Sequence, residues 1–185
     1  MMVYRFKVSL PNIKGFNRTY EITPHNTLYQ FHKQMMADME FPRDQIVLFK
    51  AFDAEGNLVA RYATFDLGSG SIDTITIEHI LKEGITSFVY FYDTTNKKSV
   101  IVTFDGQAED HYGLDPVTVP TLVESKGPIP QAFLNGYVAF EDLPAEKRRI
   151  SENDDPDDFD DEDDDDGDDE DSDEDFKETY DENEK

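Results

Sequence analysis

Asp105, Glu109, Asp110, His111 and Asp115 crowd into the stretch FDGQAEDHYGLD. Carboxylates around an imidazole can ligate a cation or pass a proton near neutral pH, where an unperturbed imidazole titrates. With Asp93, which ends an earlier β-prone run, they would supply a metal-dependent or hydrolytic constellation of Asp93, Asp105, Asp110 and His111. Turn chemistry accounts for the same residue types, since Asp and Gly build loops. A second acidic stretch, EDDDDGDDEDSD (Glu162–Asp173), has the outline of a calcium loop, with Asp164, Asp166 and Gly167 at the third, fifth and sixth positions. It opens on Glu162 and closes on Asp173 where a bidentate Glu is required, so diffuse cation condensation is the expectation, not a metal site.

Opposite in sign is the start of the chain. Arg5, Lys7, Lys14 and Arg18 precede Pro24 with Glu21 as the only acid. These four would form an anion- or partner-binding surface for phosphate, nucleic acid or an acidic protein, unless they are an ordinary charged sheet face. At the other end, Phe176 and Tyr180 stand four apart in SDEDFKETYDENEK. Ser172 as cap and acids in the first turn would suit a helix that a basic, partly apolar partner orders. His32 follows Phe31 and is expected at the edge of a core. No glycine-rich phosphate loop, nucleophile elbow or His-rich metal spacing occurs, and no cofactor is expected.

The elements that must position these residues are legible in the patterning. VYRFKVSL alternates, with Tyr4, Phe6, Val8 and Leu10 facing one way and Arg5, Lys7 and Ser9 the other. FNRTYEIT reads as the returning strand. In HNTLYQFHKQMMADMEF, Leu28, Phe31, Met35 and Met39 form one apolar helical stripe, and Thr27 with Gln30 has capping-box form beside the competing cap Asn26. IVLFKAF and LVARYATF, joined by DAEGN, form a hairpin. LGSGS is expected to be a flexible connector, and TIEHILKEG a short helix capped by Thr76 and stopped by Gly84. SFVYFYD and SVIVTFD are the most β-prone runs, joined by TTNKK. A further strand is expected in VTVPTLVE, a loop in KGPIPQAF, and a last helical turn in DLPAEKRRI. The expected fold is α+β: a mainly antiparallel sheet with one principal amphipathic helix on one face.

Of the 185 residues, 42 are acidic and 17 basic, for a net charge of −25. Residues 151–185 hold 23 of the acids against two lysines, leaving −21 there and −4 on residues 1–150. A run so dense in like charge cannot bury enough apolar surface to offset chain entropy, so 151–185 is expected to be a disordered polyacidic tail behind a single domain of residues 1–150. The absence of cysteine rules out disulfides, thiolate nucleophiles and cysteine-ligated zinc. No stretch is apolar for long enough to span a bilayer, and the cytoplasm is the default location.

The order of elements resembles the plasmid-encoded open-reading-frame-three-like (ORF-3-like) family, some of whose members are described as insertion-element passenger proteins. The carriers are YRFKVSLPNIK, then TLYQFHKQM with Phe31-His32 at a hydrophobe-His pair, SFVYFYD at an aromatic-Tyr-Asp strand end, and PTLVESKGPIPQ at a Pro-Gly-Pro segment, together covering about residues 2–135. The family's Phe-Gly-Asp after Tyr-Asp is replaced here by TTNKKS, its later Trp is missing, and Gln131 and Ala132 stand where an acidic pair is usual. The resemblance implies a fold and no particular activity. The expected function is a non-enzymatic binding or regulatory protein. Its domain would recognise a partner, and its tail would engage a protein with a basic surface; the net charge opposes nucleic acid. The alternative is the Asp93/Asp105/Asp110/His111 enzyme.

Overall fold

The structure, a computed structural model, describes residues 2–108 and 120–151. Strands β1 (Tyr4–Leu10) and β2 (Ile13–Ile22) form the first hairpin. Helix α1 (Leu28–Asp38) follows, then the hairpin of β3 (Leu48–Phe52) and β4 (Leu58–Ala63), helix α2 (Ile77–Lys82), and the hairpin of β5 (Ser87–Asp93) and β6 (Lys98–Gln107). The C-terminal part contributes β7 (Thr121–Lys126), α3 (Pro130–Leu134), a 3-10 turn (Phe140–Asp142) and α4 (Ala145–Ser151). Among the described residues the strands make one antiparallel sheet in the order β4-β3-β5-β6-β1-β2-β7, so the α+β expectation holds.

One sheet face carries the core. Phe6 and Tyr20 lie side by side on β1 and β2, and the Phe31 ring of α1 packs on both, with centroids 5.8 and 5.3 Å away. Leu28, Phe31 and Met35 are fully buried, the stripe that the helical spacing predicts. Thr27 is the cap of α1: its side chain accepts from Gln30 N–H while the Gln30 side chain accepts from Thr27 N–H, closing a capping box. Asn26 instead turns inward and accepts from the backbone and hydroxyl of Thr23. The starts of α1 and α2 are clamped together, Leu28 N–H donating to Ile75 C=O and Ile77 N–H to Asn26 C=O.

Two segments differ from expectation. LGSGS is an organised turn: the Asp66 carboxylate accepts from the amides of Gly68 and Gly70 at 2.7 and 2.9 Å, and Ile72 beyond it is buried. KGPIPQAF is not all loop, because α3 begins at Pro130, where a proline suits the first helical turn. The opposite face of the sheet bears Arg5, Lys7, Lys50 and Val89, which among the described residues stand outside the buried cluster.

Candidate functional site

Alternation along β1 puts Arg5 and Lys7 on the open face, and register brings acids beside them. Arg5 faces Glu21 across the hairpin and its guanidinium lies 3.0 Å from that carboxylate, whose side chain is 3% exposed. Lys7 Nζ lies 3.0 Å from Asp105 on β6, both half-exposed. Thr19 sits between, donating to Glu124 of β7 at 3.0 Å. Together with Val123 these residues line a cleft of about 340 Å³. Two cations meet three carboxylates there, so the surface is charge-paired and not simply basic.

Arg18 corrects the expected basic quartet. It pairs with Val8, which places it on the core face, and it is 4% exposed. Its guanidinium donates to the carbonyls of Asn17, Lys126, Gly127 and Pro128 and stacks 4.6 Å from the centre of the Phe16 ring. Burial pulls its pKa below the ordinary value, partly opposed by Tyr20 and Asp38. Lys14 is exposed, but the hairpin end it occupies is fastened: the amides of Lys14 and Gly15 donate to the Asp142 carboxylate at 2.6 and 3.0 Å. Gly127 has φ +74°, and a Cβ there would strike the Gly15 carbonyl, so this close approach requires glycine. Arg18 and Lys14 therefore hold the C-terminal segment against the hairpin and do not share a surface with Arg5 and Lys7.

The acid/base constellation is also redistributed. Asp93 is almost fully buried, where its carboxylate accepts from the backbone and side chain of Asn96 at 3.0 and 2.7 Å. Those bonds, the side-chain one foremost, hold its pKa below the usual carboxylate value. Asp93 faces Lys98 at the start of β6, whereas Asp105 lies seven residues further along, or ~23 Å at ~3.3 Å per residue. The two cannot act on one reacting atom, which corrects the expectation that they work together. Asp110 and His111, with Glu109 and Asp115, lie outside the described residues, as do the calcium-like run, Phe176 and Tyr180. Among the described residues no three His, Asp or Glu side chains cluster to hold a metal ion, and no described helix is long and apolar enough to cross a membrane.

Two buried polar groups lie under α1. His32 Nδ1 is 2.7 Å from the Tyr90 hydroxyl, and burial lowers the imidazole pKa, with Lys33 adding to the effect. The Tyr20 hydroxyl is buried without a hydrogen bond among the described residues. Burial first and the neighbouring Asp38 second raise its pKa.

Sequence reasoning missed a second set of cations. Lys50 of β3 and Arg61 of β4 are cross-strand partners on the open face. The signal was present, since both stand in β-hairpin runs between apolar neighbours, but it needed the register of that hairpin.

No protein-family model matches the chain, and no curated protein matches it. Among solved structures it is similar to the crystal structure of a protein of unknown function, MM3350 from Methanosarcina mazei Go1, with 16% identity and a TM-score of 0.57. The match covers 69% of this chain and 71% of that one, and at this identity it is a likeness of fold.

Proposed function

We propose that the chain is a non-enzymatic binding protein whose compact domain recognises a partner through the open sheet face, with the acidic tail modulating that contact. The observation that carries the reading is the cleft, in which Arg5 and Lys7 converge with Glu21, Asp105, Glu124 and Thr19 on the side of the sheet away from the core. Exposed ion pairs such as Lys7–Asp105 are worth little on their own, so a partner presenting both charge signs can exchange with them at small net penalty. Three carboxylates in the cleft disfavour a nucleic-acid backbone and favour a protein surface that includes basic groups. The tail, with its charge of −21, would engage or compete for the same kind of basic partner.

Membership of the open-reading-frame-three-like family belongs to this proposal. It rests on the four segments that carry the resemblance, two of which meet in the fold. His32 of TLYQFHKQM meets Tyr90 of SFVYFYD.

Affinity capture with the intact chain tests the role. Arg5→Glu/Lys7→Glu should abolish recovery of a partner that the wild type retains, with the fold unchanged by circular dichroism. Retention of every partner by that variant, or stoichiometric divalent-metal binding in calorimetry, overturns the reading.

A further inference from the structure

The half of the open face beyond the first hairpin has different chemistry from the cleft. Register sets Arg61 beside Lys50, Lys50 beside Val89, and Val89 beside Ile101. In the next row Leu48 lies beside Phe91. These apolar side chains are half-buried, whereas their sequence neighbours Phe49, Phe88, Tyr90, Val100 and Val102 are the ones sealed in the core. The Lys50 ammonium stands 5.0 Å from the centre of the Phe91 ring. Arg5 and Lys7 each have a carboxylate, but among the described residues neither Lys50 nor Arg61 makes an ion pair. Like charges directly opposite each other on neighbouring strands are unfavourable, and an anion set between them relieves the repulsion.

An occupant suited to this platform carries aromatic rings among acids. The chain contains such a segment in Ser172–Lys185, where Phe176 and Tyr180 are flanked by Asp173, Asp175, Glu178 and Asp181. We infer that this segment docks on the Lys50–Arg61 platform, its rings on Val89, Phe91 and Ile101 and its carboxylates on the two cations. The docked segment covers the half of the open face that lies beyond the charge-paired cleft. The charge-paired cleft is the poorer host, because Glu21, Asp105 and Glu124 line it.

Reach is sufficient. The 3-10 turn before α4 is fastened to the amides of Lys14 and Gly15 on β2, and α4 ends at Ser151. In the strand order β3 lies four steps from β2, ~19 Å at ~4.8 Å per strand. Phe176 follows Ser151 by ~25 residues, an average span of ~25–30 Å for an unconstrained chain.

The inference rests on the proposed recognition role for its purpose, but the contact itself is measured on the isolated chain. The protein has no cysteine, so Thr179→Cys accepts a single nitroxide label beside the two aromatics. At low salt the amides of Lys50, Val89 and Ile101 should lose most of their intensity in ¹⁵N spectra. Added salt should restore them, as should Phe176→Ala/Tyr180→Ala and, separately, Lys50→Gln/Arg61→Gln, with the amides of β1 unmoved as a check on the fold. Mixing ¹⁵N-enriched unlabelled chain with spin-labelled unenriched chain should give no loss. Three results overturn the inference: full intensity at those amides, loss centred on Lys14, or equal loss in the mixed sample, which would make a second copy the donor. Because no partner is in the sample, failure here leaves the recognition role standing, and failure of partner capture leaves the docked segment standing.

Discussion

Arg18 shows how a single residue can mislead. Phe16, Arg18, Tyr20 and Ile22 alternate along β2 and share the core face, so parity alone assigns Arg18 inward. Its charge argues for solvent, and the four carbonyls that satisfy the guanidinium come partly from a segment more than a hundred residues away, beyond the reach of local patterning. Removing it leaves buried acceptors without donors. Arg18→Met should therefore destabilise the fold by roughly 2–4 kcal/mol in urea titration. Arg18→Lys should recover less than half of that, since an ammonium lacks the planar fork that reaches several carbonyls. Lys7→Ala, at an exposed pair, should change stability by no more than ~0.5 kcal/mol. His32 gives the pH dependence. Burial lowers its folded-state pKa below the ordinary ~6.5, so below that pH the unfolded chain binds the extra proton and stability falls. The contribution of the neutral His32–Tyr90 pair is complete above ~6.5 and is lost as pH drops through that value. The stability difference between wild type and His32→Gln should thus shrink from pH 7 to pH 5.5. A difference that grows as pH falls would mean that His32 is buried in its charged form.

At the scale of elements, local signals were legible wherever their partners were local. The stripe of α1 and its Thr27/Gln30 box follow from spacing alone, and both are present. Phe31→Ala should cost about 3–5 kcal/mol by opening a cavity between Phe6 and Tyr20. Gln34→Ala should cost less than ~0.5 kcal/mol, because its side chain lies off the buried stripe and hydrogen-bonds Asp38 one turn on. Equal losses in thermal melts would show that the helix turns a different face to the sheet. What spacing did not disclose was whatever depends on distant partners. LGSGS has the composition of a linker, yet one carboxylate, Asp66, gathers two of its amides into a turn that leads Ile72 into the core. Likewise TLVESK has a strand's composition, but nothing in it specifies β2 as its neighbour. The candidate site suffered the same limit. Arg5 and Lys7 were visible on their strand, whereas Glu21, Asp105 and Glu124 join them only through the pairing of four strands.

Across the whole molecule, charge and apolar surface are divided between different parts of the chain. Among the described residues the buried cluster ends at Val102, and the ties of the C-terminal part to β2, through the β7 pairing, Arg18 and Asp142, all lie before Ser151. Residues 1–150 carry −4, while the whole chain carries −25. Deleting Ser151–Lys185 removes a self-repelling run without touching the core, so the shortened chain should melt cooperatively with an equal or higher midpoint. The gain should be largest at low salt and fade near physiological ionic strength, where exposed charges more than ~8–10 Å apart are screened. Loss of the docked segment acts in the opposite direction, through a few exposed pairs and two aromatic contacts. The two effects separate experimentally: Phe176→Ala/Tyr180→Ala removes the contact and keeps the repulsion, so its midpoint should fall slightly below wild type at low salt, while the deletion should match or exceed wild type. A shift of ~1 kcal/mol moves the midpoint by ~2–4 °C at this size, within reach of calorimetry. A shortened chain that melts broadly, or lower than wild type at every salt concentration, would mean that the acidic run is part of the folded unit.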